Sequence, residues 1–266
     1  MELIDIEKSI VKTYKKDIWC KFTKAINLYN LVEENDKIAV CISGGKDSFI
    51  LAKCFQELKK HKKFNFELEF IVMNPGFTKE YLNLINENSK LLNIPIKIFK
   101  TDIFSVVNKL KHKSNCYICA KMRRGHLYNI AKSLDCNKIA LGHHLDDVIE
   151  TTFLNMFYNG KFETMLPKLK SKNFEEMELI RPLYLINEND INRWVKYNNL
   201  EFKECNCGFK KDISKRIEMK KLIANLRKDN KFFDANILKS TENVNLDSLN
   251  GYIKEKIKYN YLDEYK

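Results

Sequence analysis

No apolar run in this chain approaches the roughly 20 residues that a membrane-crossing helix needs, so no transmembrane segment is expected. The start, Met1-Glu2-Leu3-Ile4-Asp5, has neither a basic region nor an apolar stretch behind it. No secretory signal is expected, and the expected location is cytoplasmic. Gly/Ser-rich linkers, internal repeats and low-complexity tracts are missing, apart from a bias toward lysine and asparagine. In a reducing compartment the eight cysteines do not read as a disulfide scaffold. Acidic residues are in deficit, 35 against 47 Lys and Arg, for a net charge of +12. That surplus favours a polyanionic partner. It is also what lysine spread over solvated faces would give, and residues such as Lys12, Lys15, Lys16, Lys62, Lys63, Lys210 and Lys211 are dispersed. What is present is ordinary for a globular protein: 266 residues, 44% hydrophobic and 31% charged, enough for one large domain with appendages.

Residues 5–30 read as an amphipathic basic helix or helix pair ending near Asn35-Asp36. Strand and helix patterns then alternate. Strands are expected at 37–42, 68–73, 96–99 and 138–142, and helices at 47–61, 78–92, 117–134 and 145–158. The order predicts an α/β protein with a doubly wound parallel sheet. A Lys-rich connection covers 160–176, and a last short strand or turn ends at Ile180-Arg181-Pro182-Leu183. From Asn187 onward the pattern reads helical, interrupted at 205–208 and 243–247. Three regions follow: an N-terminal helical segment (1–36), a nucleotide-type α/β domain (37–186) and a helical C-terminal region (187–266).

Ser43-Gly44-Gly45-Lys46-Asp47-Ser48 is the densest functional signal. An apolar run, Ile38 to Ile42, precedes it and a helical pattern follows. Strand, glycine turn and helix start together make an anion site. The glycines let backbone N–H groups converge, the helix dipole adds partial positive charge, and Lys46 adds a full one. It is not a Walker A loop, because Gly-Lys is followed by Asp47 and no glycine sits five positions before Lys46. The segment resembles the SGGxDS loop of the N-type ATP pyrophosphatases, which implies cleavage of ATP to AMP and pyrophosphate.

Gly142-His143-His144 also falls just after an expected strand, so it could face the same crevice. Asp146 and Asp147 open a helix. They serve either as capping carboxylates or as holders of Mg²⁺ between phosphates, Asp147 being the stronger candidate. His143 and His144 read as crevice-lining, and Trp19, Trp194 and Phe157 as core. Arg123 and Arg124 present either a solvated helix face or a contact to phosphate. Cys116-Tyr117-Ile118-Cys119 opens a helix, and Cys205-Asn206-Cys207 comes far downstream. Four thiolates would close a zinc site; three would leave an iron of an iron–sulfur cluster open; a redox dithiol fits the pattern least. Cys20, Cys41, Cys54 and Cys136 read as buried small hydrophobes.

Taken together, the Ser43–Ser48 loop, Cys116 to Gly125, Gly142 to Asp147, Phe153-Leu154-Asn155-Met156-Phe157 and Ile180-Arg181-Pro182-Leu183 resemble the tRNA 2-thiocytidine synthetase family, over about residues 17–245. The resemblance implies an adenine nucleotide alpha hydrolase-like fold, and ATP and Mg²⁺ at the loop. It implies a [4Fe-4S] cluster on Cys116, Cys119 and Cys205, completed by the C-terminal region. It also implies replacement of the C2 oxygen of an anticodon-loop cytidine of tRNA by sulfur. By the same resemblance the nucleotide contacts are Ser43, Gly44, Gly45, Lys46, Asp47, Ser48, Gly142 and Asp147, and the catalytic set is Lys46, Asp47, Asp147 and Arg123. Expected partners are tRNA, a sulfur donor (a cysteine desulfurase or inorganic sulfide) and a second copy in a homodimer. Two departures stand out. Cys205-Asn206-Cys207-Gly208 replaces the usual Cys-x-x-Cys-Gly, which keeps Cys207 and the four-thiolate zinc site open. Met73-Asn74 stands where relatives often have Asp. The uridine-thiolating sister branch usually carries further terminal zinc-finger cysteines, and this chain has none before Cys20 or after Cys207.

Overall fold

The computed structural model describes residues 2–109, 115–203 and 213–265. Six strands form one sheet in the order β3-β2-β1-β4-β6-β5. They are β1 (Lys37–Cys41), β2 (Glu67–Asn74), β3 (Ile96–Lys100), β4 (Lys138–Ala140), β5 (Lys168–Lys170) and β6 (Glu178–Ile180). β1 runs parallel to both β2 and β4, with Val40 opposite Phe70 and Ala140, and only β5 is antiparallel. β1 is buried along nearly its whole length, as expected of a strand covered on both faces. The chain leaves β1 toward β2 on one side and returns to β4 on the other. Loops from the two strand ends therefore diverge there and leave a crevice, the usual ligand position in such sheets.

Helices α3 (Lys46–Lys60), α4 (Lys79–Leu91), α5 (Ile103–Lys109), α6 (Asn115–Ser133), α7 (Leu145–Asn159) and α8 (Glu188–Tyr197) connect and cover the strands. The N-terminal segment comprises α1 (Leu3–Lys8), two π-helical stretches at Ser9–Thr13 and Lys15–Trp19, and α2 (Cys20–Leu28). It shares one core with the sheet: Ile6, Ile10, Ile18 and Phe22 pack with Phe49, Phe55 and Trp194. Each such buried side chain is worth roughly 1.5–3 kcal/mol against exposure. Polar contacts fix the register. Trp194 Nε1 donates to Ser9 Oγ at 2.9 Å, and the buried Lys53 ammonium donates to Glu7 at 2.7 Å and to the Leu92 carbonyl at 3.0 Å. At the base of the sheet the buried Lys138 meets Asp36 at 2.8 Å and Glu33 at 2.7 Å.

Beyond α8 lie α9 (Ile213–Asp229) and α10 (Phe233–Glu242). The uniformly helical reading of 187–266 is corrected here, because β7 (Gly251–Lys254) and β8 (Ile257–Asn260) form an antiparallel hairpin. Glu255 and Lys256 both take positive φ, 51° and 69°, the two-residue turn that matches strand twist. Tyr252 stacks on Tyr259 across it, centroids 4.8 Å apart. Two smaller readings also change. Phe157 is 59% exposed on the outer side of α7 rather than core. Cys20 is exposed, because α2 turns Phe22, Ala25 and Ile26 inward instead. Cys41, Cys54 and Cys136 are buried. Among the described residues no helix is long and apolar enough to cross a membrane.

Candidate active site

The loop after β1 is shaped by its glycines. Gly44 has φ +95°, and a Cβ there would lie 2.5 Å from the Tyr81 hydroxyl and 2.9 Å from Ile85. Only glycine lets α4 pack so closely against the turn. Ser48 Oγ accepts from the Ser43 N–H at 3.2 Å and donates to the Gly45 carbonyl at 2.7 Å, which closes the loop on itself. No side chain caps the start of α3. Its first N–H groups and dipole therefore point at the crevice, an anion site in both geometry and charge.

The loop after β4 meets it at backbone contact. A Cβ on Gly142 would come within 3.0 Å of the Asp47 backbone and 3.1 Å of the Ser48 nitrogen. Behind Gly142 the two neighbouring aspartates separate in role. Asp146 is tied into the scaffold, accepting from the Glu188 N–H at 2.6 Å and from Arg227 at 2.6 Å. Asp147 accepts from the His144 N–H at 3.1 Å, which opens α7, and its carboxylate lines the crevice.

The crevice is a cleft of 390 Å³ walled by Ser43, Asp47, Ser48, Arg123, Gly142 and Asp147, among others. Met73 and Phe77 form its apolar end. Asn74 does not line it: its side chain accepts from the Gly76 and Phe77 N–H groups at 2.9 and 2.7 Å and holds the turn after β2. Asp47 Oδ1 is buried without a hydrogen-bond partner. Burial pushes its carboxyl above the usual range, against the pull of His144 and Lys46. A buried carboxylate oxygen that makes no hydrogen bond and sits 3.5 Å from the Lys46 ammonium, in a cleft shared with a second carboxylate, has the donor chemistry that Mg²⁺ accepts. Arg123 Nε is likewise buried without a partner, and its guanidinium sits 5.8 Å over the Phe104 ring. His143 lines the cleft as well. Arg181 Nε donates to His143 Nδ1 at 3.3 Å, which leaves the imidazole neutral with its proton on Nε2. Burial, helped by Arg181 and Arg216, takes the His143 pKa down to about 4.

Lys46 does not point into empty space. Its ammonium is 2.9 Å from Glu188 Oε1 and 3.5 Å from Asp47 Oδ1. Burial opposes the Lys46 charge, but the two carboxylates outweigh it and raise its pKa. For Glu188, burial is outweighed by Lys46 and Lys220, and its pKa falls to about 2. Sequence reading missed Glu188, Arg216, Lys220 and Arg227. They lie on α8 and α9, far along the chain, and nothing in their local spacing distinguishes them from a solvated charged face. Of the cysteines expected to bind metal, Cys119 is buried on α6 in the core cluster that includes Val107, Tyr128 and Ile139. Cys116 opens the same helix. The side chain of Cys116, and Cys205 and Cys207 altogether, lie outside the described residues.

A mostly parallel sheet with a glycine-bent, anion-binding loop at its switch point, facing carboxylates behind the neighbouring strand, defines a nucleotide-binding type of α/β fold. The chain belongs to the PP-loop domain family, which it matches over residues 15–224. It is 40% identical over 199 residues to a tRNA-cytidine(32) 2-sulfurtransferase of Neisseria meningitidis, covering 73% of this chain and 61% of the relative. It is 36% identical over 225 residues to the tRNA-cytidine(32) 2-sulfurtransferase of Delftia acidovorans, covering 83% and 70%. The chain thus spans about three fifths of the length of the Neisseria relatives it matches. A solved U34-tRNA thiolase, NcsA from Methanococcus maripaludis with its [4Fe-4S] cluster, superposes with a TM-score of 0.69 at 24% identity, over 84% of this chain and 76% of that one. At that identity the likeness speaks for the fold.

Proposed function

We propose that this protein is an ATP-dependent tRNA sulfurtransferase that converts a cytidine of the anticodon loop to 2-thiocytidine. One observation carries the reading most. The Ser43–Ser48 loop sets the uncapped start of α3 against a cleft that also holds the carboxylates of Asp47 and Asp147, with the Lys46 ammonium beside them, 3.5 Å from Asp47 and 2.9 Å from Glu188. A triphosphate with Mg²⁺ matches that donor and acceptor set. The relatives named above supply the substrate class, and the net charge of +12 suits a tRNA partner.

The C2 carbonyl of cytosine is a poor electrophile. In the proposed reaction its oxygen attacks the α-phosphorus of ATP, and pyrophosphate leaves. Lys46 and the loop N–H groups stabilise the charge that gathers on the departing oxygens. Asp47 and Asp147 would hold Mg²⁺, which adds charge neutralisation at the same oxygens. Arg123, with its buried and unpaired Nε, faces the nucleotide in the cleft. Sulfur then bonds to C2 and AMP leaves with the former carbonyl oxygen. Cys116, Cys119 and Cys205 would hold a [4Fe-4S] cluster, which when bound supplies an iron without a protein ligand for sulfide. The protein's own contribution is positioning and electrostatics. The target base must be splayed out of its loop to reach the cleft. The Ser43–Ser48 loop, α6 and the segment ahead of α9 would thus act as one centre, with an external sulfur donor and a second copy of the chain as proposed partners in the cytoplasm.

The test is direct. Anaerobically purified protein should be brown, with iron and acid-labile sulfide, and should release AMP and pyrophosphate while forming 2-thiocytidine in tRNA. A colourless protein holding zinc, or one that forms no thiolated nucleoside when supplied with ATP and sulfide, would overturn the assignment.

A further inference from the structure

Lys46 and Asp147, the two residues read as serving phosphate and metal, are joined by a line of alternating charges. Lys46 Nζ lies 2.9 Å from Glu188 Oε1, and Glu188 Oε2 lies 3.2 Å from Lys220. Lys220 is 3.7 Å from Glu150 Oε1, and Arg216 Nε is 2.9 Å from Glu150 Oε2. Arg216 Nη2 ends the line, 3.6 Å from Asp147 Oδ1. Both inner cations come from α9. Only Arg216 of the two lines the cleft, with its side chain 46% exposed.

We propose that Arg216 is a second cationic ligand for the triphosphate of ATP, held on Asp147 and Glu150 until the Mg²⁺–nucleotide arrives. The inference rests on reading the cleft as an ATP site. Mg²⁺ needs the Asp147 carboxylate that Arg216 now contacts, so binding of the metal frees one face of the guanidinium. The planar fork then has the β- and γ-phosphate oxygens as partners, which it pairs two at a time. The move does not strand Glu150, whose buried carboxylate keeps Lys220. Nor does departure of Lys46 toward phosphate strand Glu188, which keeps Lys220 too. Each carboxylate keeps a cation in reach: the two share the ammonium of Lys220, and Glu188 is in addition partly exposed to solvent, which lowers the cost that a buried unpaired charge would carry.

Binding to the full-length protein tests this without turnover. The probes are AMP and a non-hydrolysable ATP analogue with a methylene between the α- and β-phosphates, each titrated with Mg²⁺. Arg216→Gln should weaken the analogue by about tenfold, the loss of one charge-assisted phosphate contact. AMP affinity, which involves neither the β- nor the γ-phosphate, should stay within about twofold. Half-saturation by Mg²⁺ should fall to a lower concentration, because Asp147 has lost its competitor. Arg216→Lys, which keeps charge but not the fork, should fall between the two. Unchanged analogue affinity in folded Arg216→Gln would overturn the proposal. So would equal losses for AMP and analogue, which would make Arg216 a shaper of the pocket only. If the wild-type chain bound neither nucleotide, the ATP reading itself would fail, an outcome distinct from any of these.

Discussion

Replacing Lys46 by alanine removes the only full positive charge of the phosphate loop, and the surrounding structure fixes what else it removes. The ammonium spans Glu188 at 2.9 Å and Asp47 at 3.5 Å, with all three side chains about a quarter exposed. Ion pairs of that exposure contribute about 1 kcal/mol or less to stability. Glu188 keeps Lys220 at 3.2 Å and the backbone of α3 is untouched, so the variant should fold. Its effect on the transition state is far larger. A preorganised charge facing a departing oxyanion is worth about 3–4 kcal/mol, or two to three orders of magnitude in rate. The expected result is a fall of at least about a hundredfold in AMP and pyrophosphate formation, with a thermal midpoint within a few degrees of wild type. Glu188→Gln is the internal control. It removes the resting partner of Lys46 and leaves the charge, so AMP formation should survive it. Near-normal AMP release by folded Lys46→Ala would refute the placement of phosphate at this loop.

The remaining predictions address stability, metal and RNA. His143 is held near pKa 4 against 6.5 in the unfolded chain, so it should add stability that is complete above pH 6.5 and lost as pH falls toward 4, about 3 kcal/mol at most. His143→Gln should flatten the unfolding free energy across that window, measured as the difference from wild type. An identical pH profile would show that the imidazole is not held neutral. Cys116→Ser, Cys119→Ser and Cys205→Ser should each lose iron and thiolation while keeping nucleotide binding, whereas Cys207→Ser should keep both, because hydroxyl is a poor ligand for iron beside thiolate. Zinc lost on changing Cys207 would favour the four-thiolate site. Lys12, Lys15 and Lys16 are exposed on the N-terminal segment. Their joint replacement by Gln should lower the salt dependence of tRNA binding, and an unchanged slope would place the RNA surface elsewhere.

The β1–loop–α3 unit was readable because its determinants are local. An apolar run of strand length, two adjacent glycines and a following 3.6-residue periodicity all lie within a few turns of chain. The same holds for β4 and the start of α7. The hairpin at 251–260 was not readable. Its turn uses Glu255 and Lys256 at positive φ, without the Asn-Gly or Asp-Gly that usually marks such a turn. β5 escaped because three residues, Lys168-Leu169-Lys170, carry too little pattern to stand out from a polar connection. The pairing of Asp146 with Arg227 and of Glu150 with Arg216 joins α7 to α9 across more than sixty residues. Charge pairs of that separation leave no periodic trace in one sequence. The sequence could therefore name Asp147 as a cleft carboxylate, but not the cation resting on it.

How α9 is held explains why its charges can be rearranged. Met219 and Ile223 are buried against Leu145, Ile149 and Phe153 of α7, and Phe233 of α10 closes the same cluster. Each of these apolar side chains contributes roughly 1.5–3 kcal/mol. The Lys220–Glu188 pair, exposed on both sides, contributes about 1 kcal/mol or less, and the pairs to the buried Glu150 end in cations that are about half exposed. Hydrophobic contact therefore fixes the position of the helix, and the ion pairs only choose among rotamers on it. Arg216 and Lys220 can exchange partners when nucleotide and metal enter, at small cost and without undocking α9. The helix begins at Ile213, shortly after Cys205 and Cys207. Its Arg216 reaches Asp147 and its Arg227 holds Asp146, so both charged contacts to the start of α7 come from this one helix.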